Sequence, residues 1–288
     1  MKSALYKSPI PDTHAFIVKR LNDPVFDPTW HFHSEYQIFF VLKGKGTRFI
    51  GDSIRSFQKG DITFTGPNLP HLWRSDVDQE EHKLTENSEG IVVYFNESLI
   101  GKTLLQKEEA IKLRQLFKRS LRGIEVKGKT AKLVQEMMLD LSFMSGFEGV
   151  LQLLKILNLL SKSKNTILLA TPGYTNSLKD GDTQRMNTVY AHAMKHFNRK
   201  ITIDELAALT NMTPTSFSRY FKTHANKTFS EFMAELRIGH ACKMLIENKM
   251  NISEACYSSG FQTLSNFNKQ FKTLTKRTPS NYKKEFSA

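Results

Sequence analysis

Two groups of residues in this 288-residue chain have the types and spacing to do chemistry. The first is His31-x-His33, with Glu35 and Gln37 close behind and His71 further along. Alternate side chains of an extended segment share a face, so His31, His33, Glu35 and Gln37 are expected to point together into the interior. Three imidazoles with a carboxylate can hold a divalent transition metal. Arg48, His71 and Trp73 offer a charged fork, a switchable donor and an aromatic plate to a small ligand, with Tyr94 on the following strand. The second group fills the last third, where buried-type aromatics alternate with Arg, Lys and short hydroxyls. That mixture suits phosphates and base edges.

The last third is written twice. Residues 216–223, SFSRYFKT, return at 266–273 as NFNKQFKT, and the echo continues through Thr228/Thr278, Ser230/Ser280 and Phe232/Tyr282. Upstream, Ile203, Leu206, Ala207, Asn211 and Met212 answer Ile252, Ala255, Cys256, Gly260 and Phe261, one residue out of step. Each copy reads as a short helix, a tight turn and a second helix with a basic outward face, which is a helix-turn-helix. In the first, Thr213 is an N-cap type and Pro214 suits the first helical position. With Phe217 and Phe221 inward, Thr215, Ser218, Arg219 and Lys222 point away from the core. Arg219 can pair with a guanine edge, and Lys222 is placed for a phosphate. In the second, Phe267 and Phe271 are inward. Leu264 is expected against a thymine methyl, Ser265 and Asn268 at base edges, and Lys269 outward beside them. Lys272, Lys276 and Arg277 are expected on the backbone. A long amphipathic helix over 229–247 would set the spacing between the two units.

These groups sit in different surroundings. Residues 15–97 read as short strands between Gly, Asp and Pro turns, with strands expected at 36–42, 47–50, 61–65 and 91–95. That spacing predicts a small barrel or sandwich. Helical periodicity takes over from about residue 104 and predicts helices at 106–122, 130–144 and 148–162. The third is apolar on more than one face, so one side is expected on the barrel and the other on a partner subunit. Residues 161–164 and 171–183 are rich in Ser, Thr, Gly, Asn and Asp and read as a linker.

The net charge is +13, and it is unevenly placed. Residues 185–288 carry 16 Lys and Arg against 7 Asp and Glu, whereas the first 184 residues carry 25 against 21. Such an excess on the doubled helix-turn-helix is the footprint of a surface that meets phosphates. Cys242 and Cys256 have no disulfide or metal spacing, so a reducing compartment is the expectation. The first residues lack the apolar run of a signal peptide, and the most apolar stretch, 150–160, is too short to span a bilayer. A cytoplasmic protein without membrane contact is expected.

Gly260-Phe261, Phe267, Phe271-Lys272 and Thr278-Pro279 resemble the signature of the AraC/XylS family of bacterial transcription regulators. The resemblance covers 185–288 and departs at Asn226 and Lys276, where glycine is usual, and at Cys256, where alanine is. The first domain resembles a cupin. His31-x-His33, three residues, Gln37, six residues and Gly44 match the first cupin motif, except that Gln37 replaces a glutamate. Gly60 and His71, ten residues apart, match the frame of the second.

The resemblances imply an all-β cupin-like barrel with following helices, then an all-α tandem helix-turn-helix. They divide the chain into a ligand-sensing and dimerising domain (1–165), a linker (166–184) and a DNA-binding domain (185–288). The implied partners are double-stranded DNA, a small-molecule effector, a second copy of the chain and RNA polymerase. His31, His33, Gln37, Arg48, His71 and Trp73 are expected to line the effector pocket, with no metal, cofactor or catalytic residue. Two rivals remain: a metal-dependent cupin enzyme, and a regulator whose barrel only dimerises.

Overall fold

A computed structural model describes residues 10–76, 87–174, 176, 180–248 and 250–286. The chain forms two compact units, Met1–Asn176 and Ser177–Ala288. The strands of the first are β1 (Phe16–Asp23), β2 (Tyr36–Lys43), β3 (Gly46–Ile50), β4 (Ser53–Phe57), β5 (Ile62–Thr65), β6 (His71–Ser75), β7 (Ser88–Phe95), β8 (Ile124–Val126) and β9 (Thr166–Leu168). Its helices are α1 (Lys102–Leu105), α2 (Ile111–Ser120), α3 (Gly128–Leu141) and α4 (Gly146–Lys162). The strands form a six-stranded sheet in the order β1-β7-β2-β5-β8-β9 and a three-stranded sheet β4-β3-β6. A bridge between His31 and His71 ties the approach to β2 to the smaller sheet.

The middle strands of the large sheet, β2, β5 and β7, are buried on both faces, and strand alternation sorts their side chains into two cores. Tyr36, Ile38 and Phe40 of β2, with Ile62, Phe64, Ile91, Val93, Phe95, Ile124 and Val126, pack against α2, α3 and α4. Phe39, Val41 and Val92 face the other way, with Phe26, Ile50, Phe57, Leu69 and Trp73. Gln37 alternates with Ile38 and so belongs to this inner face. β1, β4, β6, β8 and β9 were not among the expected strands. β1 and β4 are largely exposed or half-buried, so they lack a dense apolar pattern. β8 and β9 have only three residues each, and partners hold them rather than propensity.

α4 differs from expectation. Leu153, Ile156, Leu157 and Leu160 are buried in the chain's own core, and Leu159 packs against it. Val150, Leu151 and Leu154 stay half-buried, as does Leu159. The boundary differs too: β9, inside the expected linker, pairs with β8, and the first unit runs on to Asn176.

Arg48, expected in the effector pocket, is instead locked in a buried ion cluster. The residue is 1% exposed, and its guanidinium bonds Glu125 and lies 3.1 Å from Asp61, while Lys127 lies 2.7 Å from Glu125. Burial alone would raise the Glu125 carboxyl, and the charge of Arg48 brings it below its ordinary value instead. At Asp61 burial prevails and the carboxyl sits above its ordinary value. The cluster joins β3 of the small sheet to the β5–β8 end of the large one.

The second unit comprises α5 (Asp180–His196), α6 (Ile203–Leu209), α7 (Pro214–Ala225), α8 (Phe229–Ile246), α9 (Ile252–Ser258), α10 (Leu264–Thr275) and α11 (Pro279–Phe286). The repeat is exact in its caps. Thr202 and Asn251 cap α6 and α9, and Thr213 and Thr263 cap α7 and α10. Asn226 and Lys276, where glycine was expected, both end their helices in the left-handed region, at φ 55° and 62°. α8 is buried on two sides rather than along one stripe. Phe229, Phe232, Met233 and Leu236 serve the first unit of the repeat, and Ile238, Ala241, Met244 and Leu245 the second.

Both tryptophans, Trp30 and Trp73, lie in the first unit, so their fluorescence reports its unfolding alone. Glu125→Gln should lower that unit's stability by about 3 kcal/mol in urea, because it strands part of the Arg48 charge in the interior. Lys276→Gly should stabilise the second unit by about 1 kcal/mol by relieving a left-handed lysine, as read by helical circular dichroism during thermal unfolding.

Candidate nucleic-acid interface and sensor site

In each copy a buried phenylalanine pair at i, i+4 seats the second helix. Phe217 and Phe221, like Phe267 and Phe271, are fully buried and meet at 5.9 and 5.5 Å between ring centroids, the first pair tilted and the second edge-on. That seating turns Thr215, Ser218, Arg219 and Lys222 of α7 to solvent, and Ser265, Asn268, Lys269 and Lys272 of α10 likewise. Lys276 and Arg277 are exposed just beyond. Leu264 differs: it is half-buried against the second core, so its side chain serves packing before base contact. Ser218 turns its hydroxyl back onto the Pro214 carbonyl at 2.9 Å, which occupies its donor and leaves the oxygen as an acceptor.

The two turns are built alike. The amide of Met212 donates to Ala207 and that of Phe261 to Cys256, at 2.8 and 3.2 Å. Asn211 takes φ 53° in the first turn and Gly260 φ 83° in the second. Gly260 is needed twice over, since a Cβ there would lie 2.6 Å from the Phe197 carbonyl oxygen. Arg237 of α8 donates to that same carbonyl at 2.8 Å and to Arg199 O at 2.7 Å, and lies 5.9 Å over the Phe261 ring. Thus α8 joins the loop after α5 to the second turn, and the two reading helices share one framework. Sequence reading missed Arg237. Its signal was an arginine set in an apolar helix between Leu236 and Ile238.

Glu205, at the start of α6, accepts from Arg199 and His192 at 2.5 and 2.7 Å. The Arg199 hydrogen bond draws its carboxyl down to about 2, so this acid stays paired across the working pH range.

In the first unit the structure brings His31, His33, Gln37 and His71 together. The ring nitrogens of the three histidines lie within 4.8 Å of one another. Nδ1 of His31, His33 and His71 bonds the carbonyls of Thr29, Glu35 and Leu69 at 2.7, 3.1 and 2.7 Å. Gln37 Oε1 stands 3.1 Å from His33 Nε2 and 3.3 Å from His71 Nε2. Burial lowers the pKa of all three, to about 4 at His31 and well below the ordinary value at His71, so they are neutral at pH 7. Glu35 does not join them. A bend at residues 34–35 breaks the expected alternation and puts its carboxylate 3.5 Å from His33 Nδ1, behind the ring. Trp73 packs edge-on to His71 and Phe39 at 5.5 and 4.7 Å, and Tyr94 meets His33 at 5.2 Å. Of the six expected pocket residues, only Arg48 lies elsewhere, in its ion cluster.

Residues 206–285 match the model of a helix-turn-helix domain, and residues 14–145 that of the AraC-like ligand binding domain. The chain is 22% identical over 264 residues to the Msm operon regulatory protein of Streptococcus mutans, covering 90% of this chain and 87% of that protein. It is 22% identical over 264 residues to the raffinose operon transcriptional regulatory protein RafR of Pediococcus pentosaceus, covering 86% of this chain and 84% of that one. A solved structure of ToxT from Vibrio cholerae covers 95% of this chain at 15% identity with a TM-score of 0.37, too loose a likeness to inform side-chain geometry.

Arg219→Ala should cost about 1–3 kcal/mol of specific DNA affinity and relax preference at one base position in a selected site. Lys222→Ala and Lys272→Ala should weaken all sequences alike and each reduce the slope of log affinity against log salt by about one. With two equivalent helix-turn-helix units on one framework, an exposed basic rim and an AraC-like ligand binding domain ahead of them in the chain, this chain belongs to the AraC family of helix-turn-helix transcription regulators.

Proposed function

We propose that this regulator works as a cytoplasmic homodimer whose two reading helices enter successive major grooves, and whose first unit answers to a small-molecule effector. The observation that carries the reading is the repeated exposed face of α7 and α10, held by α8 and the Arg237 contacts. α8 has 18 residues and so spans about 27 Å, of the order of one DNA turn. Among the described residues no helix is long and apolar enough to cross a membrane.

For the effector, the first unit's inner face offers a polar end at His31, His33, Gln37 and His71 beside the aromatic surface of Trp73. The Trp73 indole N–H is buried and meets no acceptor among the described residues, so it suits a ligand oxygen. For the dimer, Phe143 just after α3 and Phe147 in the first turn of α4, 77% and 72% exposed, extend the outer face of Leu151 and Leu154. Effector occupancy would favour one dimer arrangement over another, and with it the half-sites reached and the contact with RNA polymerase. The enzyme reading is disfavoured because Glu35, the carboxylate paired with the imidazole cluster, lies behind His33 rather than in its midst.

Selection of genomic fragments by full-length protein at two salt concentrations tests this. Two half-sites about one turn apart, with affinity falling steeply as salt rises, is the expected result. Weak retention with no motif, with or without cell extract as a source of effector, would sink it.

A further inference from the structure

We propose that residues 169–174 form a strap that passes the state of the first unit's inner core to the DNA-binding unit by setting the length of the tether between them. The inference rests on the dimeric, effector-controlled reading above. The segment follows β9 and leads towards the second unit. It is docked on the turn between β3 and β4 and on the loop ahead of β8. The amide of Leu169 donates to Gly123 O at 2.9 Å, and that of Ala170 to Arg122 O at 2.8 Å. Arg122 returns two hydrogen bonds to the Ala170 carbonyl, from Nε at 2.9 Å and Nη2 at 2.7 Å. Thr171 donates both its amide, at 2.9 Å, and its hydroxyl to the buried carboxylate of Asp52. Gly51, at φ 57°, lets the segment approach: a Cβ there would lie 2.9 Å from Ala170 Cβ and 3.1 Å from the Tyr174 ring.

A passive tether needs only length and solvation. This one engages a buried carboxylate, a guanidinium and a glycine over a few residues, and its packed side is the effector face. Leu169 and Tyr174 share a core with Phe39 and Trp73. The anchoring turn is tied there too, because Ile50 pairs with His71 across β3 and β6 and the Gly51 amide donates to Pro70 O at 2.8 Å. A ligand that displaces Trp73 or His71 therefore acts on packed neighbours of the strap, which gives it a preference between the docked and released states. With the strap docked, the tether to α5 is residues 175–179, and its reach is about 20 Å at most. Released back to β9, the tether gains residues 169–174 and about 20 Å more. That gain is of the order of half a DNA turn, enough to change which separations of two protomers' sites a dimer can span.

Asp52→Ala and Tyr174→Ala should release the strap, and Tyr174→Phe should keep it docked. In full-length protein, hydrogen exchange at the amides of residues 169–171 should quicken about tenfold or more in the first two, with the amides of β2 and β5 unchanged. Trp73→Phe changes the inner core without touching the strap's hydrogen bonds. It should quicken the same amides, and unchanged exchange there would break the link to the core. DNA affinity is then measured on the selected operator and on copies with about 5 or 10 base pairs inserted between the stretches that the two protomers protect. Wild type should lose about tenfold on the half-turn insertion, and the released variants less than about threefold. A Gly-Ser insertion of the strap's own length after Asn176 lengthens the tether with the strap intact. It should reproduce the wider tolerance, and it keeps the test open if a strap variant fails to fold. Equal losses in wild type and in variants whose strap amides exchange fast would overturn the proposal and leave the regulator standing. A single protected stretch would remove the strap's role together with the dimer, and recovery of no motif would remove the regulator as well.

Discussion

Strand β2 has water on neither face, and much of the first unit follows from that. Tyr36, Ile38 and Phe40 need the helices on one side, and Phe39 and Val41 need the small sheet on the other. A strand with two apolar faces cannot slip by one residue without exchanging its whole inner set for its outer one. Its register against β5 and β7 is therefore fixed, and with it the place of Gln37 opposite Thr65 and Tyr94. The same certainty of register sets Gln37 among the histidines. A polar residue in that frame is costly unless it is partnered, so the imidazole cluster and the hydrophobic layer are two consequences of one constraint.

The second unit solves a different problem, how to hold two small reading modules in fixed relation. Each module has a modest core of its own, built on the phenylalanine pair. Neither core is large, and α8 supplies side chains to both. Arg237 and Gly260 then take up the remaining freedom between them, the one by hydrogen bonds to the Phe197 and Arg199 carbonyls, the other by having no side chain where Phe197 approaches. Rigid spacing matters more to a two-groove reader than to a single one, because misplacing one helix wastes the contacts of the other.

The chain treats charge in two opposed ways. In the second unit basic residues remain in water at helix exits, where phosphates can displace counterions. In the first, Arg48 is almost wholly buried and is balanced by Glu125 and Asp61. Arginine at an inward strand position has no single meaning in sequence. Only the acids on β8 and ahead of β5, 77 and 13 residues away, decide whether it is a ligand fork or an internal tie.

The duplicated module was legible in the sequence down to its caps and inward phenylalanines, because helix periodicity, capping and turns are local and the repeat states them twice. The outward Arg219, Lys222, Asn268, Lys269 and Lys272 followed by elimination, since whatever the core does not take faces solvent. Leu264 was misjudged because a leucine in the first turn can serve either side, and only the packing of α10 chose. In the first unit the four apolar-rich strands were readable. β8 and β9 were not, since three residues have no pattern of their own and depend on pairing with distant chain. Strand alternation also brought His31, His33 and Gln37 together, and the resemblance to a cupin added His71. Tertiary structure alone decided that Glu35 turns behind His33, that Arg48 is spent internally, and that backbone carbonyls hold each of the three imidazoles. Those outcomes depend on a bend, a cross-sheet ion pair and backbone carbonyls from separate loops, and contacts between distant segments leave no periodic trace in the chain that makes them.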